Sequence, residues 1–433
     1  MPPNIEAVDQ TRITIEPDDS NNKTIANDPN TKIIDNDPTV TTSNDKLNHP
    51  DLPQDLKEYL SALNEHLPND YMVPIDFKPT WMDIEKCKRG QKFAQQYYFG
   101  VNYAEMISLY LLFLDHENLG VLIYTQKSHT PFKAYRRYLS TVLRVKSWLE
   151  TEFWNPNELG YKNLKIVRAM HLNVSKKLNE TNPKEFLDQF SVIDNPKYHD
   201  GVWATLTEDL KEDLSSVQCP MTGAGVWSSK CPAAGDRRIF INQFNMSMTQ
   251  FGFVGLLILY PDKFGASNAS DEDLEAFAHL WKAIGYYLGI KDKYNFCKGD
   301  LIEIRQRCTD VLNYWIKPNL TGITLDWEHM CRCMTEGVSY YVPGVNFETS
   351  FKYLCWVLDI KTPKLDSKMS IVQSFSFYSN QFIMCYATKV PWILNFLNWA
   401  VKVAIKKASK DDPNILAKLQ KKTYSYQNEC SKL

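Results

Sequence analysis

The stretch that decides the fold is Met106-Ile107-Ser108-Leu109-Tyr110-Leu111-Leu112-Phe113-Leu114, which is apolar on every side if it is helical. A helix without a polar face is buried inside a protein or spans a membrane. This run is too short to cross a bilayer, and Glu105 and Asp115 flank it. We therefore expect a fully buried helix at the centre of the molecule's core.

Working outward from this run, helical periodicity predicts further helices on both sides of it. The predicted helices cover residues 52–67, 97–114, 132–154, a segment around position 171, and residues 202–217, 242–260, 270–289 and 300–316. The alternation that is typical of β-strands is rare, and Gly120-Val121-Leu122-Ile123-Tyr124 is the best short candidate. The sequence therefore predicts an all-α fold with a single large multi-helix domain.

Composition divides the chain into three parts. Residues 1–50 are rich in Asn, Asp, Thr and Pro, which predicts a disordered tail, whereas residues 51–320 form the helical domain. Residues 321–433 form a C-terminal helical extension, in which residues 390–407 combine Trp, Phe and Leu with a basic end. That composition is typical of an amphipathic helix on a membrane surface. The alternative is a helix that caps the core and keeps its lysines in water.

The bulk composition narrows the class of protein. The chain has 433 residues with a formal net charge of −2, which gives no argument for binding nucleic acid. Hydrophobic residues make up 44% and aromatic residues 13%, enough for a large core and for a roomy apolar pocket. The ten cysteines show no CxxC pair and no secretory signal is visible, so we expect an intracellular protein with free thiols.

One histidine, His171, suggests a function. Arg168 precedes it by three residues and shares its face in a helix, and Arg137 and Thr141 share a face of the preceding helix. A neutral imidazole near guanidinium groups suits a haem pocket, because iron needs a nitrogen ligand and the propionates need cations. The alternatives are a structural histidine, surface ion pairs for the arginines, and a threonine bonded back to its own helix.

The same pattern resembles the family of the bacterial latex-clearing rubber oxygenases and the ER-bound oxygenase of fungal mycophenolate biosynthesis. That family has Arg-x-x-x-Thr on one helix and, on the next, an axial His three residues after an Arg. In this chain the pattern reads Arg137, Thr141, Arg168 and His171. Residues 239–245 and 276–290 resemble the family's later helices, and the resemblance extends over roughly residues 85–320.

The resemblance implies a buried cofactor pocket that holds haem b, with His171 as the iron ligand and Arg168 as a second cofactor-binding residue. It implies that Arg137 and Thr141 line the active site, where Thr141 could donate a hydrogen bond to dioxygen. The implied activity is a haem-dependent oxygenase that uses dioxygen to oxidise or cleave a C=C bond in an isoprenoid or other apolar lipid. The implied location is the cytoplasm or the ER membrane, with possible peripheral membrane contact.

Two positions depart from the latex-clearing enzymes, which carry a lysine where this chain has Ser140 and an arginine where it has Ser175. We therefore prefer a smaller prenyl or terpenoid substrate to rubber, because an apolar, aromatic-lined pocket favours such a ligand. The departures also leave open a non-catalytic haem or lipid carrier that keeps the fold. His279 competes as a ligand, and we expect it to be a pocket or core histidine.

Overall fold

Most of the described residues lie in helices. A computed structural model describes residues 50–66, 77–181, 189–193, 202–217, 220 and 239–430. Within these residues there is no β-strand, only an isolated bridge between His66 and Asn242. The predicted all-α fold is confirmed. The predicted disordered tail, residues 1–50, lies outside the described residues except for Pro50.

The α-helices of the described residues are numbered here in chain order. In chain order they are α1 (Gln54–Ser61), α2 (Ile84–Gln96), α3 (Tyr98–Leu112), α4 (His116–Tyr124), α5 (Pro131–Glu150), α6 (Leu159–Glu180), α7 (Thr207–Leu214), α8 (Gln243–Leu259), α9 (Asp271–Tyr287), α10 (Leu301–Asp310), α11 (Lys317–Leu320), α12 (Leu325–Ser339), α13 (Phe347–Val357), α14 (Pro363–Lys368), α15 (Ile371–Cys385), α16 (Pro391–Ala408) and α17 (Pro413–Cys430).

Helix α3 is the buried helix that the apolar run predicts. Residues on several sides of it, among them Val101, Ile107 and Leu111, are almost completely buried. It packs along α8, which is likewise buried on nearly every side. Among the described residues no single helix is both long and apolar enough to cross a membrane. Helices α3 and α4 together pass on length and composition, but they are bent by 101°.

Close helix pairs surround this centre. Helix α2 packs along α9, where a β-carbon on Gly90 would lie 2.3 Å from the carbonyl oxygen of Ala276. Helices α5 and α6 form an antiparallel hairpin, and α12 packs along the first of them. That contact is also close, since a β-carbon on Gly337 would lie 2.6 Å from the backbone nitrogen of Tyr135. Glycine is thus required where two helix backbones approach each other.

The predicted strand Gly120–Tyr124 is wrong, because these residues form the second half of α4. The Asp115 side chain accepts the N–H of Glu117 at 3.0 Å and starts the helix. Gly120 also lets the Phe190 ring approach, since a β-carbon there would lie 2.5 Å from Cδ2 of the ring. Capping and tertiary packing therefore outweigh the strand propensity of the Val and Ile residues.

The predicted helix 300–316 is present, but it is not a regular α-helix over its whole length. Helix α10 widens into a π-helix at Val311–Ile316 and continues as α11, which contains Pro318. A proline inside a helix removes one N–H donor and crowds the preceding turn. A wider π turn immediately before Pro318 relieves that crowding without ending the helix.

Candidate functional site

The α5–α6 hairpin brings the predicted site residues together. The hydroxyl of Thr130 caps α5 by accepting the N–H of Lys133, and Pro131 begins the first turn. The Asn163 amide donates to the hydroxyl oxygen of Ser147 at 2.8 Å, which fixes the register of the two helices. In this register the guanidinium of Arg137 lies close enough to His171 to influence its pKa.

The His171 side chain is half-buried on α6. Part of its surface is accessible, yet burial lowers its pKa to about 4, and the nearby Arg137 cation contributes to the shift. The ring is therefore neutral at pH 7. Its Nδ1 atom is buried and has no hydrogen-bond partner. Buried polar atoms are nearly always paired, so an unpaired nitrogen on a neutral imidazole is what a ligand-binding histidine would show.

The Arg137 side chain is half-buried in the same region, and burial lowers its pKa below the usual range. Its guanidinium forms no ion pair or hydrogen bond with another residue in the described part of the chain. A cation removed from water without a counter-ion is unfavourable. An anionic group of a ligand, such as a carboxylate, would compensate it.

Arg168 faces a different neighbour. Its Nη1 atom donates to the carbonyl oxygen of Tyr287 across 3.5 Å, at the C-terminal end of α9. The end of a helix carries partial negative charge, so a guanidinium there is favourable. Arg168 thus ties α6 to α9, and a contact with a cofactor stays a prediction.

Thr141 is exposed, and its hydroxyl donates to the carbonyl oxygen of Arg137 at 3.1 Å. This is the back-bonded arrangement that is common for threonine in helices. The hydroxyl has a single hydrogen, so Thr141 could donate to another acceptor only after leaving Arg137.

The two serines that depart from the family pattern have structural partners. Ser140 accepts a hydrogen bond from the Arg144 guanidinium at 2.7 Å. Ser175 is buried and donates to the carbonyl oxygen of Phe240 at 3.0 Å. A longer cationic side chain would not fit in this buried position without moving Phe240. The serine at position 175 therefore follows from how α6 packs against the segment before α8.

Two other histidines, His279 and His329, form hydrogen bonds with backbone groups. His279 Nε2 accepts the backbone N–H of Asp83 at 3.0 Å, at the start of α2, and its ring meets Trp81 edge-on. In the buried His329, Nδ1 accepts the N–H of Trp203 at 2.9 Å, and Nε2 lies 2.9 Å from the carbonyl oxygen of His129. Neither arrangement resembles that of His171, whose Nδ1 is unpaired.

Sequence reasoning missed an aromatic cluster between α5, α8 and α9. The Trp148 and Trp281 rings meet edge-on at 6.4 Å, and Phe253 stacks on Trp281 at 4.2 Å. Both indole N–H groups are buried without an acceptor. Tryptophan usually finds a partner for its N–H when it is buried, so these two donors could orient a polar group of a ligand. Abundant tryptophan was the only signal in the sequence.

Sequence reasoning also missed the character of Glu105, which it treated only as a flank of the apolar run. Burial raises the pKa of this carboxyl to about 8, and its Oε1 atom has no hydrogen-bond partner. At neutral pH the group is therefore mostly protonated and can act as a donor. An acidic residue next to a continuous apolar helix was the signal that could have indicated it.

A metal centre built from several side chains is not indicated. The described residues contain no group of three or more His, Cys, Asp or Glu side chains that could hold an ion. Haem iron needs only one or two protein ligands, so this finding does not bear on haem. No protein-family model matches the chain, and comparisons with curated proteins and with solved structures find no similar protein. The resemblance to the oxygenase family therefore stays a prediction.

Proposed function

We propose that the protein is a haem-dependent oxygenase that acts on an isoprenoid or other apolar lipid, in the cytoplasm or at the ER membrane. The observation that carries the proposal is the buried, unpaired Nδ1 atom of His171 beside the Arg137 guanidinium. A neutral ring can offer a lone pair to iron at physiological pH, whereas a protonated ring cannot.

The residues present fit haem b. His171 would hold the haem iron, and the Arg137 cation, which has no counter-ion among the described residues, would pair with a propionate. Arg168, half-buried on the same face of α6, would support the other propionate or hold the ligand helix against Tyr287. When bound, the haem would supply the activation of dioxygen, and the protein would supply binding, orientation and exclusion of water.

The aromatic cluster supports an apolar substrate. Phe253, Trp148 and Trp281 are flat apolar side chains, and a site lined by them would suit an isoprenoid chain better than a sugar or a nucleotide. The two buried indole N–H groups could hold a hydroxyl or carbonyl group at the end of such a chain. The proposed reaction is oxidation or cleavage of a C=C bond by dioxygen.

An absorption spectrum tests haem binding directly. Protein produced with haem supplementation should show a Soret band, and His171→Ala should lose or shift it while remaining folded. His279→Gln is the matched control, because His279 is also partly buried but its Nε2 accepts the Asp83 N–H. A colourless, folded wild-type protein, or equal spectra for the wild type and His171→Ala, would contradict the proposal.

Thr141 favours a second candidate, a non-catalytic haem or lipid carrier that keeps the fold. Its hydroxyl hydrogen is already donated to Arg137, so it is not available to a ligand on the haem. Farnesyl and terpenoid compounds incubated with the haem-loaded protein, with oxygen and without it, distinguish the two functions. Oxygen-dependent product supports the oxygenase, whereas binding without product in both conditions supports the carrier.

A further inference from the structure

Helix α15 carries a stripe of large apolar side chains on its outer side. The exposed fractions of these side chains lie between 63% and 89%, and the residues are Ile371, Val372, Phe375, Tyr378 and Phe382. Their spacing of three or four residues places most of them on one side of the helix. The opposite side packs against the core through Phe377 and Met384, both of which are buried.

Helix α16 continues this pattern. Trp392, Phe396, Trp399 and Val403 recur at helical spacing, with exposed fractions between 43% and 72%. Tyr386 and Val390, in the connection between the two helices, are exposed as well. These eleven side chains are called the apolar face below. Its residues are Ile371, Val372, Phe375, Tyr378, Phe382, Tyr386, Val390, Trp392, Phe396, Trp399 and Val403.

The rotation of α16 is determined by a polar anchor. The Asn398 amide donates to the carbonyl oxygen of Gln96 at 2.7 Å, and its oxygen accepts the N–H of Phe99 at 2.8 Å. These two backbone groups lie where α2 passes into α3. Leu394 and Ile405 are buried on the same side of α16 as Asn398. Turning the apolar residues inward would break both hydrogen bonds, so their exposure belongs to the folded state.

The charges carried by α15, α16 and the connection between them have one sign. Residues 369–410 contain five lysines and no Asp or Glu. The lysines are Lys389, Lys402, Lys406, Lys407 and Lys410. Three of them are exposed at the C-terminal end of α16, at positions 406, 407 and 410. An apolar surface whose own two helices carry only cations is complementary to a surface that is apolar beneath and anionic on top.

A bilayer fits this surface better than a second copy of the chain. A twofold interface would place the same patch against itself, so both sides of the interface would carry the exposed Lys406, Lys407 and Lys410. A membrane accepts the apolar side chains below the headgroups, and it holds Trp and Tyr rings at headgroup depth. Eleven large apolar side chains exposed on two successive helices are unusual for a soluble monomer, which favours a partner of this kind.

We propose that the apolar face docks the protein on the surface of an anionic lipid bilayer, with α15 and α16 lying in the interface. The rings of Phe396 and Trp399 are 5.8 Å apart, so Phe396 would insert below the headgroups while Trp399 lies at headgroup depth. The lysines at the end of α16 would contact anionic headgroups. This inference stands on surface residues alone and does not depend on haem or on His171.

Vesicle flotation of the full chain tests the proposal. We expect the wild type to float with vesicles of phosphatidylcholine and phosphatidylserine, and to float less with phosphatidylcholine alone or at high salt. The double variant Trp392→Asp/Phe396→Asp should lose flotation, although its thermal melt should match the wild type because both residues are exposed. Ile302→Asp, an equally exposed apolar residue on α10, is the control and should float like the wild type.

The lysines need a separate variant. Lys406→Gln/Lys407→Gln/Lys410→Gln should lose the preference for phosphatidylserine and keep the weaker binding to phosphatidylcholine. A wild type that floats with neither vesicle at low salt would overturn the proposal. A wild-type dimer that the double variant converts to a monomer, without vesicle binding, would assign the apolar face to a second copy instead.

Discussion

The hydroxyl of Tyr135 donates a hydrogen bond to the carbonyl oxygen of Ala408, with 3.3 Å between the two oxygens. Tyr135 lies two residues before Arg137 on α5, and Ala408 is the last residue of α16. The Arg136–Asp411 ion pair lies beside this contact. The helix that carries part of the candidate site is thus joined to the helix that carries half of the apolar face.

Asn398 should stabilise the fold through its two hydrogen bonds. Asn398→Ala leaves the Gln96 carbonyl and the Phe99 N–H without their partner, which costs about 1–3 kcal/mol for each buried group that stays unpaired. Urea unfolding measures the loss. Asn395→Ala is the control, because Asn395 is exposed on the same helix. Equal stability of the two variants would mean that water replaces the side chain.

The Arg137 cation should hold down the pKa of His171. Burial is the larger cause of the low value, about 4, and Arg137 is the second. Arg137→Gln should therefore raise the pKa of His171, but not to its unperturbed value of about 6.5. Titration of the ring by NMR with labelled histidine measures the shift. Arg136→Gln is the control, since Arg136 is exposed and paired with Asp411, and an equal response of both variants would refute the assignment.

Stability should fall in mild acid. Burial lowers the pKa values of His171 and His279 to about 4 in the folded protein. The unfolded chain, with histidine pKa values of about 6.5, binds more protons, so stability decreases as the pH falls from about 6.5 to about 4. Above about pH 6.5 both histidines are neutral in the folded and in the unfolded protein, so they no longer change the stability. Urea unfolding across this range checks the slope, which His279→Gln should make shallower.

Glu328 should be among the most sensitive carboxylates of the described core. It is fully buried, it accepts the N–H groups of Thr205 and Leu206 at the start of α7, and it pairs with Arg332 at 2.7 Å. Glu328→Gln leaves Arg332 paired with Glu348 at 2.8 Å but turns an amide group toward buried donors, at a cost of about 1–3 kcal/mol. Glu208→Gln, an exposed ion pair with Lys211, should cost less than about 1 kcal/mol. Chemical denaturation of both variants provides the comparison.

Gly90→Ala distinguishes local propensity from packing. Helix propensity alone predicts a gain of about 1 kcal/mol for this change inside α2. The added β-carbon would lie 2.3 Å from the Ala276 carbonyl oxygen, so the two helices must separate and we expect a net loss of stability. A higher melting temperature for Gly90→Ala would show that the α2–α9 contact is looser than described.

Local sequence patterns were sufficient to predict much of the fold. The apolar run 106–114 predicted the burial of α3, and the predicted helix 270–289 is found as α9, where the Ser270 side chain accepts the N–H of Asp273. These signals are local because helical periodicity and capping depend on residues within about one turn of each other. The same locality placed Arg137 and Thr141 on one face of α5.

The hydrogen-bond partners of polar side chains depend on tertiary packing and could not be predicted from the local sequence. The sequence left open whether Thr141 is a pocket residue or a threonine bonded back to its own helix. The structure shows that its hydroxyl donates to the carbonyl oxygen of Arg137. Likewise, His279 was an expected core histidine, but only the fold reveals that it accepts the Asp83 N–H, which lies 196 positions away. No local pattern encodes a contact at that separation.

The sequence alone predicted that residues 390–407 form a helix with apolar and basic residues, and the structure has this helix at Pro391–Ala408. Which side of that helix faces outward was decided only by tertiary structure, through the contact of Asn398 with Gln96, which lies 302 positions away. The exposed stripe on α15 was likewise invisible in the sequence, because an apolar helix looks the same whether its residues meet the core or the solvent. Burial is a property of the surroundings, and in this protein the surroundings come from distant parts of the chain.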